Sequence, residues 1–223
     1  MATPLDLQEQ EQLDQLKSFW KQYGNLITWT LILALGAFSA WNAWNWYQRD
    51  QSAKAGAMFD ALDGAVQAGD AERAGRVFAD LKERFPRTAF AQQAGLLAAR
   101  LQYDKGQTDA ARASLQWVAD EAAENEYRAI ARLRLAGLLL DAKKPDEALK
   151  QLDAMPAVPA FAALAADRRG DVLLAQGKKD EAISAYKAAW QGLDDKRDYR
   201  RLVDAKLTAL AAAPPAPATE GPK

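Results

Sequence analysis

Gly69-Asp70-Ala71-Glu72-Arg73-Ala74, Gly106-Gln107-Thr108-Asp109-Ala110-Ala111, Lys143-Lys144-Pro145-Asp146-Glu147-Ala148 and Gly177-Lys178-Lys179-Asp180-Glu181-Ala182 are four versions of one segment, at successive offsets of 37, 37 and 34 residues. The same offsets bring further positions into register. Four residues after the shared alanines stand Phe78, Leu115, Leu152 and Tyr186, and three further on stand Leu81, Val118, Met155 and Ala189. Twelve positions before the alanines are Leu62, Ala99, Ala136 and Gly170. Self-similarity at this period marks a repeat architecture.

The surrounding sequence is rich in Ala and Leu with interspersed charges, so each unit predicts two helices joined at Gly69, Gly106, Lys143 or Gly177. The second-helix alanine lets the first helix approach closely. A lone hairpin cannot bury its apolar face, so neighbours stack into a solenoid. Lys143 stands where the other turns have glycine, and Pro145 then suits a helix start. Beyond the array, Tyr199, Leu202, Val203, Leu207 and Leu210 predict one apolar face of a capping helix. Residues 214–223 hold four prolines and read as a disordered tail.

Ahead of the array, Lys21 and Arg49 bracket 27 residues without a formal charge. Leu26 to Trp46 would span about 31 Å as a helix, the thickness of a bilayer core. Trp20, Tyr23 and Trp29 at one end and Trp41, Trp44, Trp46 and Tyr47 at the other form two aromatic girdles. Small-x-small patterns at Ala53-Lys54-Ala55 and Ala55-Gly56-Ala57 resemble signal-peptidase sites, but the acidic lead-in (Asp6, Glu9, Glu11, Asp14) and the length of the apolar run favour an uncleaved anchor. Lys17 and Lys21 on one side balance Arg49 and Lys54 on the other, so charge does not set the orientation. Within the span, Gly36, Ser39, Ala40 and Ala43 share a small-residue face that would admit a partner helix, although Gly and Ala are also common in membrane helices generally. The expected organisation is an amphipathic segment over residues 1–24, a transmembrane helix over 25–47, a solenoid over 48–213 and the tail.

The composition narrows function. The 223 residues contain no cysteine and no histidine, and 29 basic residues nearly balance 30 acidic ones. Thiol and imidazole catalysis and Cys/His metal sites are thereby removed, and a charge-driven nucleic-acid binder is disfavoured. No nucleotide-binding loop, serine elbow or EF-hand spacing occurs. The expectation is a non-enzymatic binding or structural protein with no cofactor and no metal.

The repeats resemble the tetratricopeptide repeat in the small first-helix residue (Ala136, Gly170), the turn glycines Gly106 and Gly177, the second-helix alanines, and Pro86. The early tryptophan of that motif has become Arg132 and Ala166 in the last two units. The whole order, from Phe19-Trp20-Lys21-Gln22-Tyr23-Gly24-Asn25 through one span and four hairpins to the stretch Ala166–Gly177, resembles the YfgM family of ancillary SecYEG translocon subunits. That resemblance implies a bacterial inner-membrane protein with a cytoplasmic N-terminus and a periplasmic repeat domain. It also implies as partners the SecYEG translocon, exported precursor polypeptides and periplasmic chaperones, among them a membrane-anchored prolyl-isomerase-like protein.

Leu133, Gly137 and Leu140, then Asp167, Asp171 and Leu174, fall at positions that commonly line the inner groove of tetratricopeptide arrays, although core packing explains Leu140 and Leu174 equally well. Arg134 and Arg168 share one repeat position beside Arg132 and Arg169, and would form a basic stripe able to hold acidic peptide. Solvated positions paired to nearby carboxylates are the competing reading. Two functions stay open: a translocon-associated binder of exported chains, and a membrane-tethered scaffold for another complex. Self-association through Gly36, Ala40 and Ala43 stays open as well.

Overall fold

The structure is a computed structural model and describes residues 7–194 and 198–212, with side-chain environments from residue 11. The expected tail at 214–223 lies outside these residues. Among the described residues all regular structure is helical. The helices are α1 (Leu7–Gln67), α2 (Ala71–Arg84), α3 (Ala89–Asp104), α4 (Thr108–Glu121), α5 (Asn125–Asp141), α6 (Pro145–Asp153), α7 (Ala162–Ala175), α8 (Lys179–Gly192) and α9 (Asp198–Ala209). A 3₁₀ turn, Pro159–Phe161, precedes α7. The chain divides into two compact units at Gln51/Ser52.

In the first unit, α1 carries a stretch long and apolar enough to cross a membrane, and none of that stretch is buried. Leu26, Ile32, Leu33, Leu35 and Phe38 are exposed, as are Trp20, Trp29, Trp41, Trp44 and Trp46. Such a continuous exposed apolar surface needs lipid or a partner helix around it. Thr28 Oγ1 donates to Gly24 O at 2.7 Å and Thr30 Oγ1 to Leu26 O at 2.8 Å, so both hydroxyls are satisfied by their own helix, as an apolar environment demands.

In the second unit, the last part of α1 pairs with α2, α3 with α4, α5 with α6 and α7 with α8, as the repeat register predicts. The shared alanines Ala74, Ala111, Ala148 and Ala182 are fully buried. Leu62, Ala99, Ala136 and Gly170 are buried on the facing first helices, opposite Phe78, Leu115, Leu152 and Tyr186. Gly170 is the closest approach: a Cβ there would lie 2.5 Å from Tyr186 Cδ1. Gly95 is similarly tight against Val118, and Trp117 adds an edge-on contact with Phe78 at 5.4 Å between ring centroids.

All four turns close in the same way. Gly69, Gly106 and Gly177 adopt left-handed φ of 68°, 76° and 77°, and Lys143 adopts it too at 61°. At each, the following amide donates back across the turn: Asp70 N to Ala65 O, Gln107 N to Gln102 O, Lys144 N to Leu139 O and Lys178 N to Leu173 O, all at 2.8–2.9 Å. This double-bonded Schellman ending needs one left-handed residue, which glycine supplies without steric cost. Lys143 pays that cost, so Lys143→Gly should stabilise the protein by about 0.5–1 kcal/mol, read as a raised denaturation midpoint with an unchanged slope.

The cap departs from the sequence expectation in one respect. Val203 and Leu207 are buried against α7 and α8, but Leu202 remains 49% exposed. Tyr199 and Leu210 pack against the same cluster, whereas Leu202 lies one residue, about 100° around the helix, from Val203 and falls off the buried stripe.

Candidate functional site

The first helices α3, α5 and α7 line one side of the solenoid, and two adjoining cavities open there. One, of about 410 Å³, is bounded by Arg100, Tyr103, Arg134, Gly137, Asp141 and Arg168, among others. The next, of about 570 Å³, is bounded by Leu140, Asp141, Lys143, Asp171, Leu174 and Tyr186. Asp141 belongs to both, so the two form a continuous groove. Of the sequence-selected residues, Arg134, Arg168, Leu140, Asp171 and Leu174 meet in this groove. Leu133 does not: it packs against the buried cluster of Ala136, Leu139, Ala148, Leu152 and Val172. Leu140 touches that same cluster while lining the groove, whereas Leu174 is 41% exposed. In the first unit Gly36, Ser39, Ala40 and Ala43 are all exposed, with open space around Gly36.

The arginines separate by helical face. Arg132 lies two residues, about 200° around the helix, from Arg134, and Arg169 one residue, about 100°, from Arg168, and neither lines the groove. Arg132 donates to Gln151 Oε1 at 2.9 Å and pairs with Asp120 at 3.2 Å, and Arg169 pairs with Asp153 at 2.6 Å. Arg134 leans back over α3, where its Nη1 donates to Leu96 O at 3.1 Å. Arg168 leans over α5, its guanidinium 3.7 Å from the place a Gly137 Cβ would occupy. Burial, followed by the nearby positive charge of Arg100, lowers the Arg134 pKa below its ordinary value.

Asp167 and Asp171 belong to a different arrangement, which sequence patterning did not anticipate. Asp167 is 1% exposed and accepts from Tyr199 Oη at 2.6 Å and Lys206 Nζ at 2.8 Å. Lys206 Nζ also donates to Asp171 at 2.7 Å, which in turn accepts from Tyr186 Oη at 2.8 Å and pairs with Arg168 at 3.6 Å. Two cations thus meet two carboxylates, clamping α9 onto α7. Burial and then the hydrogen bond to Asp171 push the Tyr186 hydroxyl well above its ordinary pKa, and burial and then the bond to Asp167 do the same for Tyr199.

A groove lined by the first helices of stacked helical hairpins defines an α-solenoid repeat protein. The family described as tetratricopeptide repeat-like domain matches residues 17–212, and the chain belongs to it. Among curated relatives, the ancillary SecYEG translocon subunit of Neisseria gonorrhoeae is 31% identical over 205 residues, covering 92% of this chain and 98% of that protein. The protein of the same name from Escherichia coli is 31% identical over 81% of this chain and 86% of its own length. That from Haemophilus influenzae is 28% identical over 83% and 90%. The chain is therefore a member of the family of ancillary SecYEG translocon subunits.

Proposed function

We propose that this protein is a non-enzymatic, membrane-anchored subunit that associates with the SecYEG translocon in the bacterial inner membrane. Residues 25–47 span the bilayer, with residues 1–24 cytoplasmic and the solenoid of residues 48–213 periplasmic. The face of Gly36, Ser39, Ala40 and Ala43 docks on a membrane partner. The groove holding Arg134, Leu140, Arg168, Asp171 and Leu174 engages exported precursors and periplasmic chaperones, including a membrane-anchored prolyl-isomerase-like protein. The observation that carries this reading is relatedness to translocon subunits along nearly the whole length of both chains. Physically, an anchor confines the solenoid near emerging chains and raises its effective concentration, so weak contacts suffice.

Photo-crosslinking in native membranes tests it, with one probe replacing Ser39 and another replacing the exposed Leu174. Translocon subunits captured at Ser39, together with exported chains or periplasmic chaperones at Leu174, are expected. Cytoplasmic proteins at Leu174, or only copies of this chain at both positions, would overturn the topology and the export role and leave an assembly scaffold.

A further inference from the structure

The groove has an uneven charge distribution. The first cavity brings three guanidinium groups, those of Arg100, Arg134 and Arg168, together with one carboxylate, Asp141. Arg100 enters from one helical turn out of register with the other two, because Arg134 lies back across α3. Asp141 is already engaged by Tyr103 Oη at 3.0 Å, and Asp171 in the adjoining cavity is held by Lys206 and Tyr186 while also meeting Arg168 at a longer 3.6 Å, a contact that leaves most of the Arg168 donors open. Among the described residues Arg134 forms no ion pair and bonds only a backbone carbonyl, and Arg100 meets Asp104 at a loose, exposed 3.9 Å. Half-burying Arg134, and placing Arg100 near it, costs free energy: burial first and the Arg100 charge second lower the Arg134 pKa. The adjoining cavity is more apolar, lined by Leu140, Pro145, Leu174 and Ala175.

Resting on the reading of this groove as a polypeptide-binding surface, we infer that it selects extended segments whose acidic side chains lie beside an apolar residue. Arg134 and Arg168 receive the carboxylates and Leu140 and Leu174 the apolar side chain. Guanidinium groups pair bidentately with carboxylates, and the absence of a side chain at Gly137 lets the Arg168 guanidinium lie close over α5. An incoming carboxylate relieves the repulsion between Arg100 and Arg134 as it binds. The selectivity is therefore electrostatic, and the affinity falls with salt.

Fluorescence anisotropy with the full-length protein in detergent micelles tests this. The probe is a fluorescein-labelled synthetic peptide of three glutamates followed by leucine in a Gly/Ser background, and the comparison is the same peptide with glutamine in place of glutamate. The glutamate peptide should bind at least about tenfold more tightly. Arg134→Gln and Arg168→Gln should each weaken its binding about tenfold, with helix content and denaturation midpoint checked. Arg73→Gln, exposed on α2 outside the groove, should leave binding unchanged. Equal binding of the two peptides would overturn acid selection while leaving the groove a polypeptide site. Displacement by inorganic phosphate as effective as by unlabelled peptide would overturn it in favour of a simple anion site. Binding of neither peptide also overturns it, and the Leu174 crosslinks then judge the export role separately.

Discussion

Gly170→Ala should destabilise the protein by about 2 kcal/mol even though alanine is the better helix former. The added methyl would stand 2.5 Å from both Tyr186 Cδ1 and Cε1, and 2.9 Å from Cζ. These are ring atoms, not the free end of a flexible chain, and the ring is anchored through its hydroxyl to Asp171. The methyl fits only if the ring moves, which opens the buried cluster of Leu173, Ala182, Ala189, Val203 and Leu207. Gly64→Ala is the counterpart. It lies in the helical body of α1 with nothing within 4 Å of the new methyl, so the same exchange should stabilise by up to about 1 kcal/mol. Chemical denaturation of both variants checks the pair, and a Gly170→Ala midpoint at or above the wild type would refute the packing argument.

Lys206→Met should cost about 2–3 kcal/mol, concentrated at the C-terminal end. The replacement keeps most of the apolar stem and removes the charge. Asp167, at 1% exposure, would keep only the Tyr199 hydroxyl to satisfy a buried carboxylate. The figure sits below that for a fully buried pair because the Lys206 side chain is 24% exposed. Hydrogen exchange should then rise through α9 and α8 before it rises in α3 and α4. The same cluster sets an alkaline limit. Tyr186 and Tyr199 both bind their protons more tightly folded than unfolded, so their contribution is complete below the ordinary tyrosine value of 10.0 and is lost as pH rises beyond it. Tyrosinate absorbance should show these two hydroxyls ionising late, together with loss of helix. Early ionisation with the helix intact would sink the assignment.

The repeat architecture was legible because its determinants are local and recur: an alanine and a bulky residue four positions later meet in every unit, with a small residue twelve before the alanine in the last three and Leu62 in the first. The groove was legible in part. The register aligned Arg134 with Arg168 but not Arg100, which joins them only through the backward lean of Arg134. Charge alone did not separate Arg134 from Arg132, because the distinction lies in helical phase and in which carboxylates each side reaches. The clamp was invisible for another reason. Asp167 and Lys206 are 39 residues apart, no period relates them, and Asp167 reads as a groove position until α9 folds back on α7. Leu202 was misread because it lies about 100° around α9 from Val203, outside the stripe of Tyr199, Val203, Leu207 and Leu210 that packs inward.

The short α6 has a mechanical consequence. It has nine residues and buries only Ala148 and Leu152, where α2 with fourteen buries Ala71, Ala74, Phe78 and Leu81. A stack of plates bends where the glue is thinnest, and here that is the joint between the third and fourth hairpins. Apolar contact is the main resistance to flexing, so compliance concentrates between α5 and α7, which carry Arg134 and Arg168. The jaws of the groove can therefore adjust their spacing at small energetic cost while the first two hairpins stay rigid.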